Sequence, residues 1–170
     1  KTTFRMIELA SGNILDIDAE IAVLSAHPTL IAGSGLSGVF HKAAGRELEL
    51  AAKPLGPITP GGSVVTKAFQ LPFEFIVHAV APHYLRDLDH PEEALEQTYL
   101  SIFDHKELSH CSSIVYPAIG IGIYQWPIAL AAEITIRVLE QSPFEKNVIC
   151  LYEQATFNIY QSLLNPKTAN

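Results

Sequence analysis

A chain of 170 residues is the size of one α/β domain, and 48% apolar with 17% charged residues argues against intrinsic disorder. Eleven Lys and Arg against eighteen Asp and Glu leave a net charge of -7, which excludes a basic footprint for duplex nucleic acid or an anionic membrane. No apolar run reaches the length of a membrane span and no secretory leader pattern opens the sequence, so a cytoplasmic protein without membrane contact is expected.

In chain order, brevity and β-branched content predict strands over Phe4 to Leu9, Ile21 to Ser25, Ser63 to Phe69, Phe75 to Val80, Ser113 to Ala118 and Asn147 to Tyr152. Apolar residues at three and four spacing predict helices over Ser37 to Ala52, Pro91 to Leu108, Pro127 to Gln141 and Glu153 to Leu164. The early strands are joined too tightly for a helix each. The pattern therefore predicts a three-layer α/β domain with a mixed sheet. One domain over residues 1–170 is expected, and a start at Lys1 rather than Met fits excision from a larger protein.

Cys111 and Cys150 lack both metal-ligand spacing and the density of a disulfide framework, and are expected to be buried free thiols. His41, His78, His83, His90, His105 and His110 show no metal-ligand spacing either, so no metal site is expected.

Two glycine-bearing loops follow strands. Ala32-Gly33-Ser34-Gly35-Leu36-Ser37-Gly38 opens a helix, where free backbone N-H groups would point at a phosphate; a plain turn with a helix cap is the alternative. Gly120-Ile121-Gly122-Ile123-Tyr124 sits at the carboxyl end of a strand, where open α/β sheets place their ligands. Two such loops can converge on one diphosphate, and an acidic protein still binds an anion when backbone N-H groups supply the local potential.

At this point the sequence resembles the macro domain family, in order and over almost the whole chain. Gly12-Asn13-Ile14 is similar to its Gly-Asp-Ile, Ile21 to His27 to the strand ending in Asn-Ala-Ala-Asn, and Gly33-Ser34-Gly35-Leu36 to its first glycine-rich loop. Val39 to Gly45 resembles Ala-Ile-His-x-Ala-Ala-Gly, Gly61 to Thr66 another signature, and His78 to Pro82 resembles His-Thr-Val-Gly-Pro. Tyr116 to Tyr124 resembles Phe-Pro-Ala-Ile-Ser-x-Gly-x-Tyr, and Tyr152 follows the last strand as an aromatic does in the family.

The resemblance implies an α/β/α macro domain with an ADP-ribose cleft at the carboxyl ends of the central strands. It places Asn13 and the backbone of Ile14 at the adenine amino group, and Tyr152 stacked on the ring; a core aromatic is the other reading of Tyr152. Backbone N-H groups of Gly33, Ser34, Gly35 and Leu36 on one side, and of Gly120, Ile121, Gly122, Ile123 and Tyr124 on the other, would hold the diphosphate. Gly122 is the position expected to tolerate a side chain least.

The chain departs from the hydrolytic branch at the distal ribose. His27 stands where that branch has an asparagine, Ser37 where it has an acidic residue, and Leu24 replaces the first asparagine of the same motif. A serine hydroxyl is not basic near neutral pH and cannot replace a carboxylate as general base.

His27 is therefore a candidate ligand-recognition residue, a structural histidine before Pro28, or a general base. The expected function is binding or sensing of ADP-ribose or an NAD-derived nucleotide, and some macro domains resembling this one serve as antiphage sensors. An ADP-ribosylated protein is a further candidate partner. An ADP-ribosyl or O-acetyl-ADP-ribose hydrolase using His27 is the alternative, and no cofactor is expected.

Overall fold

The structure, a computed structural model, describes residues 5–86, 89–122 and 124–165. Its strands are β1 (Met6–Ser11), β2 (Ile21–Ser25), β3 (Ser63–Lys67), β4 (Phe75–Ala79), β5 (Ser113–Tyr116) and β6 (Lys146–Leu151). They form one sheet in the order β1-β6-β5-β2-β4-β3. Every pairing is parallel except that of β3 with β4. The mixed sheet predicted from the short early connections is thus present, with its one antiparallel strand at an edge.

The helices are α1 (Gly35–Ala44), α2 (Glu47–Ala52), α3 (Pro91–Phe103), α4 (Ile128–Leu139) and α5 (Gln154–Leu164). The helix expected from Ser37 to Ala52 is two helices. Gly45 ends α1 at φ 91°, a left-handed conformation that favours glycine and halts the ladder. The helix expected to reach Leu108 stops at Phe103 and resumes as a 3-10 turn over Lys106–Leu108. Pro91 occupies the first turn of α3, where its missing N-H costs nothing.

Alternation along β2 explains the three layers. Ile21 and Val23 join one core with Leu95, Tyr99, Ala132, Val138 and Tyr160 from α3, α4 and α5. Ala22 and Leu24 point the other way, into a second core with Phe40, Ala44 and Leu48 from α1 and α2. A central parallel strand covered on both faces reads as an uninterrupted apolar run, which is what β2 is. Each such fully buried aliphatic side chain contributes about 1.5–3 kcal/mol.

Within this core Asn147 is fully buried and uses its whole amide. Its Oδ1 accepts the Tyr116 hydroxyl at 3.0 Å and the Ser142 hydroxyl at 2.6 Å, while Nδ2 donates to the Phe144 and Met6 carbonyls. The network fastens the start of β6 to its neighbours β1 and β5. Among the described residues no helix is long and apolar enough to cross a membrane.

Candidate functional site

Parallel strands β2, β5 and β6 end side by side, and the loops that leave them enclose a cleft. Its larger lobe, about 560 Å³, is lined by Gly12, Asn13 and Ile14 after β1, by Leu151, Tyr152 and Glu153 at the end of β6, and by Ala118, Ile121 and Gly122 after β5. The smaller lobe, about 340 Å³, is lined by Ser25 at the end of β2, by Ala26 and His27 after it, by Gly33 to Ser37, and by Ile121, Gly122 and Tyr124. Ser25, Leu36, Ile121 and Gly122 border both lobes, so the two form one elongated groove. Its size suits an extended small molecule.

At one end, Asn13 caps the short 3-10 turn Ile14–Asp16, its Oδ1 accepting the Leu15 N-H at 2.9 Å. The cap fixes the side chain in place and leaves one carbonyl lone pair for a further donor. Tyr152 is 88% exposed beside this lobe, which overturns the core-aromatic reading and leaves its ring face open. Cys150 lies beneath, donating to the Gly12 carbonyl at 3.4 Å. Burial pushes its thiol above the ordinary value, with Asp16 adding to the effect, which disfavours the nucleophilic thiolate.

The middle of the groove is the N-terminus of α1. Ser34 is the cap residue but makes no side-chain capping bond, and the N-H groups of Gly33, Ser34, Gly35 and Leu36 have no protein acceptor among the described residues. An uncapped helix start presents these donors together with the positive end of the helix dipole. The glycines at 33 and 35 adopt φ 63° and 62°, which turns the loop so that it faces the groove. Ser34 neither caps nor closes the loop.

Across from it, the second loop divides its labour between two glycines. Gly120 is buried, and a Cβ there would lie 2.8 Å from Cδ1 of Trp126, so this glycine packs rather than lines either lobe. Trp126 in turn donates from Nε1 to the Pro82 carbonyl at 2.9 Å. Gly122 borders both lobes with nothing within 4 Å of a Cβ, so the space in front of it is the groove itself. Ile123, placed at the diphosphate by the resemblance, lies outside the described residues.

At the far end, Ser37 is buried, and its hydroxyl donates to the Ala32 carbonyl at 2.7 Å, closing the glycine loop on itself. His27 is exposed at the rim, with Nδ1 turned back onto Thr29. No Asp or Glu lines this lobe among the described residues. The orienting carboxylate that a histidine base requires is therefore not among the groups around it.

His41 and His78 lie outside the groove and are buried, with ring centroids 6.3 Å apart. His78 pairs with the Thr66 hydroxyl at 2.9 Å, and desolvation, reinforced by His41, holds its pKa down at about 4. Both are neutral packing residues at neutral pH.

Sequence spacing passed over several groove residues. Ser25, Val39, Cys150 and Thr156 line it because strand ends and helix faces converge there in space. It also passed over a cluster at the opposite ends of the strands. The pair His110-Cys111 has no metal-ligand spacing within the sequence, yet the fold brings Glu74 against it, and the ligand atoms of all three lie within 4.8 Å of one another.

An α/β/α sandwich with an uncapped helix start and a glycine loop converging at the carboxyl ends of parallel strands defines a class of nucleotide-type binding domain. The profile of one such family, the macro domain, matches residues 23–135, and the chain belongs to that family. It is similar to an O-acetyl-ADP-ribose deacetylase of Enterobacter sp. (strain 638), 32% identical over 168 aligned positions, gaps included, with 93% of each chain covered. A macro domain-containing protein of Mesorhizobium japonicum is 31% identical, covering 91% of this chain and 90% of its own. Among solved structures, the Oceanobacillus iheyensis macrodomain with ADP matches at a TM-score of 0.89 and 29% identity, over 96% of this chain and 92% of its own.

Proposed function

We propose that the chain binds ADP-ribose, or a nucleotide derived from it, along the groove and does not hydrolyse it by the carboxylate-assisted route. One observation carries the binding half: the uncapped start of α1, whose N-H groups between Gly33 and Leu36 have no protein acceptor among the described residues and line the same lobe as Gly122. A diphosphate satisfies those donors and needs no basic side chain, in keeping with the acidic composition. Adenine then fits between Asn13, the Ile14 backbone and the open face of Tyr152, and the distal ribose falls beside His27. Gly120, assigned to the diphosphate by the resemblance, contributes by holding Trp126 and the loop instead.

The absence of a carboxylate from the distal lobe among the described residues, together with Ser37 spending its hydroxyl on the Ala32 carbonyl, supports a binder over a hydrolase. In this role the domain senses an NAD-derived signal or an ADP-ribosylated protein in the cytoplasm, and an antiphage sensor is its narrowest form.

The second reading, an O-acetyl-ADP-ribose deacetylase, is favoured by the name of the Enterobacter relative. Incubation with O-acetyl-ADP-ribose followed by chromatography separates the two. The binder leaves the ester intact above the rate in buffer, whereas steady release of ADP-ribose that disappears in His27→Ala establishes the deacetylase.

A further inference from the structure

The groove occupies the carboxyl ends of β2, β5 and β6; the residues that enter β2 and its two neighbours, β4 and β5, meet at the opposite ends of the strands. Glu74 precedes β4, His110 and Cys111 precede β5, and Glu20 precedes β2, which runs between them. His110 Nε2 lies 2.6 Å from Glu74 Oε1 and 3.8 Å from Cys111 Sγ, and Sγ is 4.0 Å from Glu74 Oε2. We propose that Glu74, His110 and Cys111 form a binding site for a divalent zinc-type cation, about one strand length, or roughly 16 Å, from the nucleotide groove.

Three observations support it. An imidazole, a thiol and a carboxylate are the donor types that zinc takes, and with bonds of about 2.0–2.3 Å in a tetrahedron their atoms lie about 3.3–3.7 Å apart. The two distances to sulfur are already near that range, and replacing the proton between His110 and Glu74 by a cation opens the remaining one. The backbone that presents the ligands is also tied down from a neighbouring element. The Glu20 carbonyl accepts the Glu74 N-H at 2.7 Å, while its carboxylate accepts the N-H groups of Ser112 and Ser113 at 2.7 and 3.1 Å. Finally, the Glu74 carboxylate lies against the Cys111 sulfur and the Glu20 carboxylate holds the next residue, Ser112, so negative charge gathers at the site, which suits a cation.

The arrangement leaves the fourth position to water. The side chains of His110 and Glu74 are 57% and 47% exposed, so an ion has access from solvent, while Cys111 is buried beneath them. On binding, the thiol proton passes to solvent and the sulfur joins the metal as thiolate, with no change of oxidation state. The cation then clamps the start of β4 to the start of β5 across β2. An isolated exposed Glu-His ion pair would add little to the fold and would bind no metal.

The test is a Co²⁺ titration of tag-free, metal-stripped protein followed by absorption, then displacement by Zn²⁺. One equivalent with a thiolate-to-cobalt charge-transfer band in the near ultraviolet is expected. Cys111→Ser abolishes the band and weakens binding more than about 100-fold, beyond what the loss of an outer hydrogen bond does. The surface variants Glu74→Gln and His110→Gln each weaken it at least about 10-fold, and Cys150→Ser leaves Co²⁺ binding and the band unchanged. Zn²⁺ at 100-fold over its Kd raises Tm by about 5–10 °C. No charge-transfer band, a band that persists in Cys111→Ser, or unchanged affinity in both glutamine variants overturns the site. The glutamine variants decide the matter even where Cys111→Ser folds poorly, and ADP-ribose affinity is the same with and without the cation.

Discussion

The Nδ1 atom of His27 accepts the amide N-H of Thr29 at 3.1 Å and lies 2.7 Å from the Thr29 hydroxyl. With that nitrogen serving as acceptor, the neutral ring carries its proton on Nε2. His27 thus closes the turn after β2 through one nitrogen and offers a hydrogen-bond donor through the other, which fits the proposed role in recognition better than one in proton abstraction. ADP, which lacks the distal ribose, serves as the internal control. His27→Ala should weaken ADP-ribose about 3- to 10-fold, the equivalent of one hydrogen bond, and leave ADP within about 2-fold. Equal losses on both ligands would show that the histidine acts only through the turn.

The two glycines of the second loop should separate folding from binding. Gly120→Ala forces a methyl to 2.8 Å from the Trp126 ring at φ 90°, and should cost about 2 kcal/mol in a denaturant titration. Gly122→Glu meets open space, so the variant should stay folded with a cost of about 1 kcal/mol for its φ of 91°. Its carboxylate and bulk enter the diphosphate region, and ADP-ribose affinity should fall more than about 100-fold. Tight binding by folded Gly122→Glu would refute the pose.

Tyr152 offers a cleaner separation because so little of it is buried. Tyr152→Ala should leave stability within about 0.5 kcal/mol. The lost stacking on adenine, about 1–3 kcal/mol, should lower affinity for ADP-ribose and for ADP alike by about 5- to 150-fold, read by calorimetry. A ribose 5-phosphate probe should not sense the change.

Stability should fall on mild acidification because of His78. Its folded pKa of about 4 lies below the ordinary 6.5 of the unfolded chain, so below 6.5 the unfolded state binds a proton that the folded state refuses. The contribution is fully present above about pH 6.5 and is lost as pH falls toward about 4. His41 is lowered by its own desolvation, which Glu49 partly opposes, and acts in the same direction. Between pH 7 and pH 5 the wild type should lose about 2 kcal/mol more than His78→Gln, by denaturant midpoints at each pH. Parallel pH slopes would contradict the assignment.

Much of this was legible in the residues, and the exceptions have physical causes. The apolar run of β2 declares a strand covered on both faces, and the glycines at 33 and 35 declare a turn into a helix. Gly45 was hidden inside a good helical pattern because periodicity does not register a left-handed residue. Gly120 and Gly122 look alike in the chain; only Trp126, packed against one and absent from the other, distinguishes them. Glu74 is far from His110 in sequence, and spacing within one segment is blind to a partner delivered by a strand two places away in the sheet. Tyr152 was ambiguous for a related reason, since the end of a strand is where core and cleft meet.

The central claim concerns the donors at the start of α1, and calorimetric titration of the intact chain with ADP-ribose tests it most directly. A single saturable site, lost in Gly122→Glu and weakened in Tyr152→Ala, is the predicted result. No detectable heat with ADP-ribose at any concentration reached, from protein shown to be folded, would contradict it.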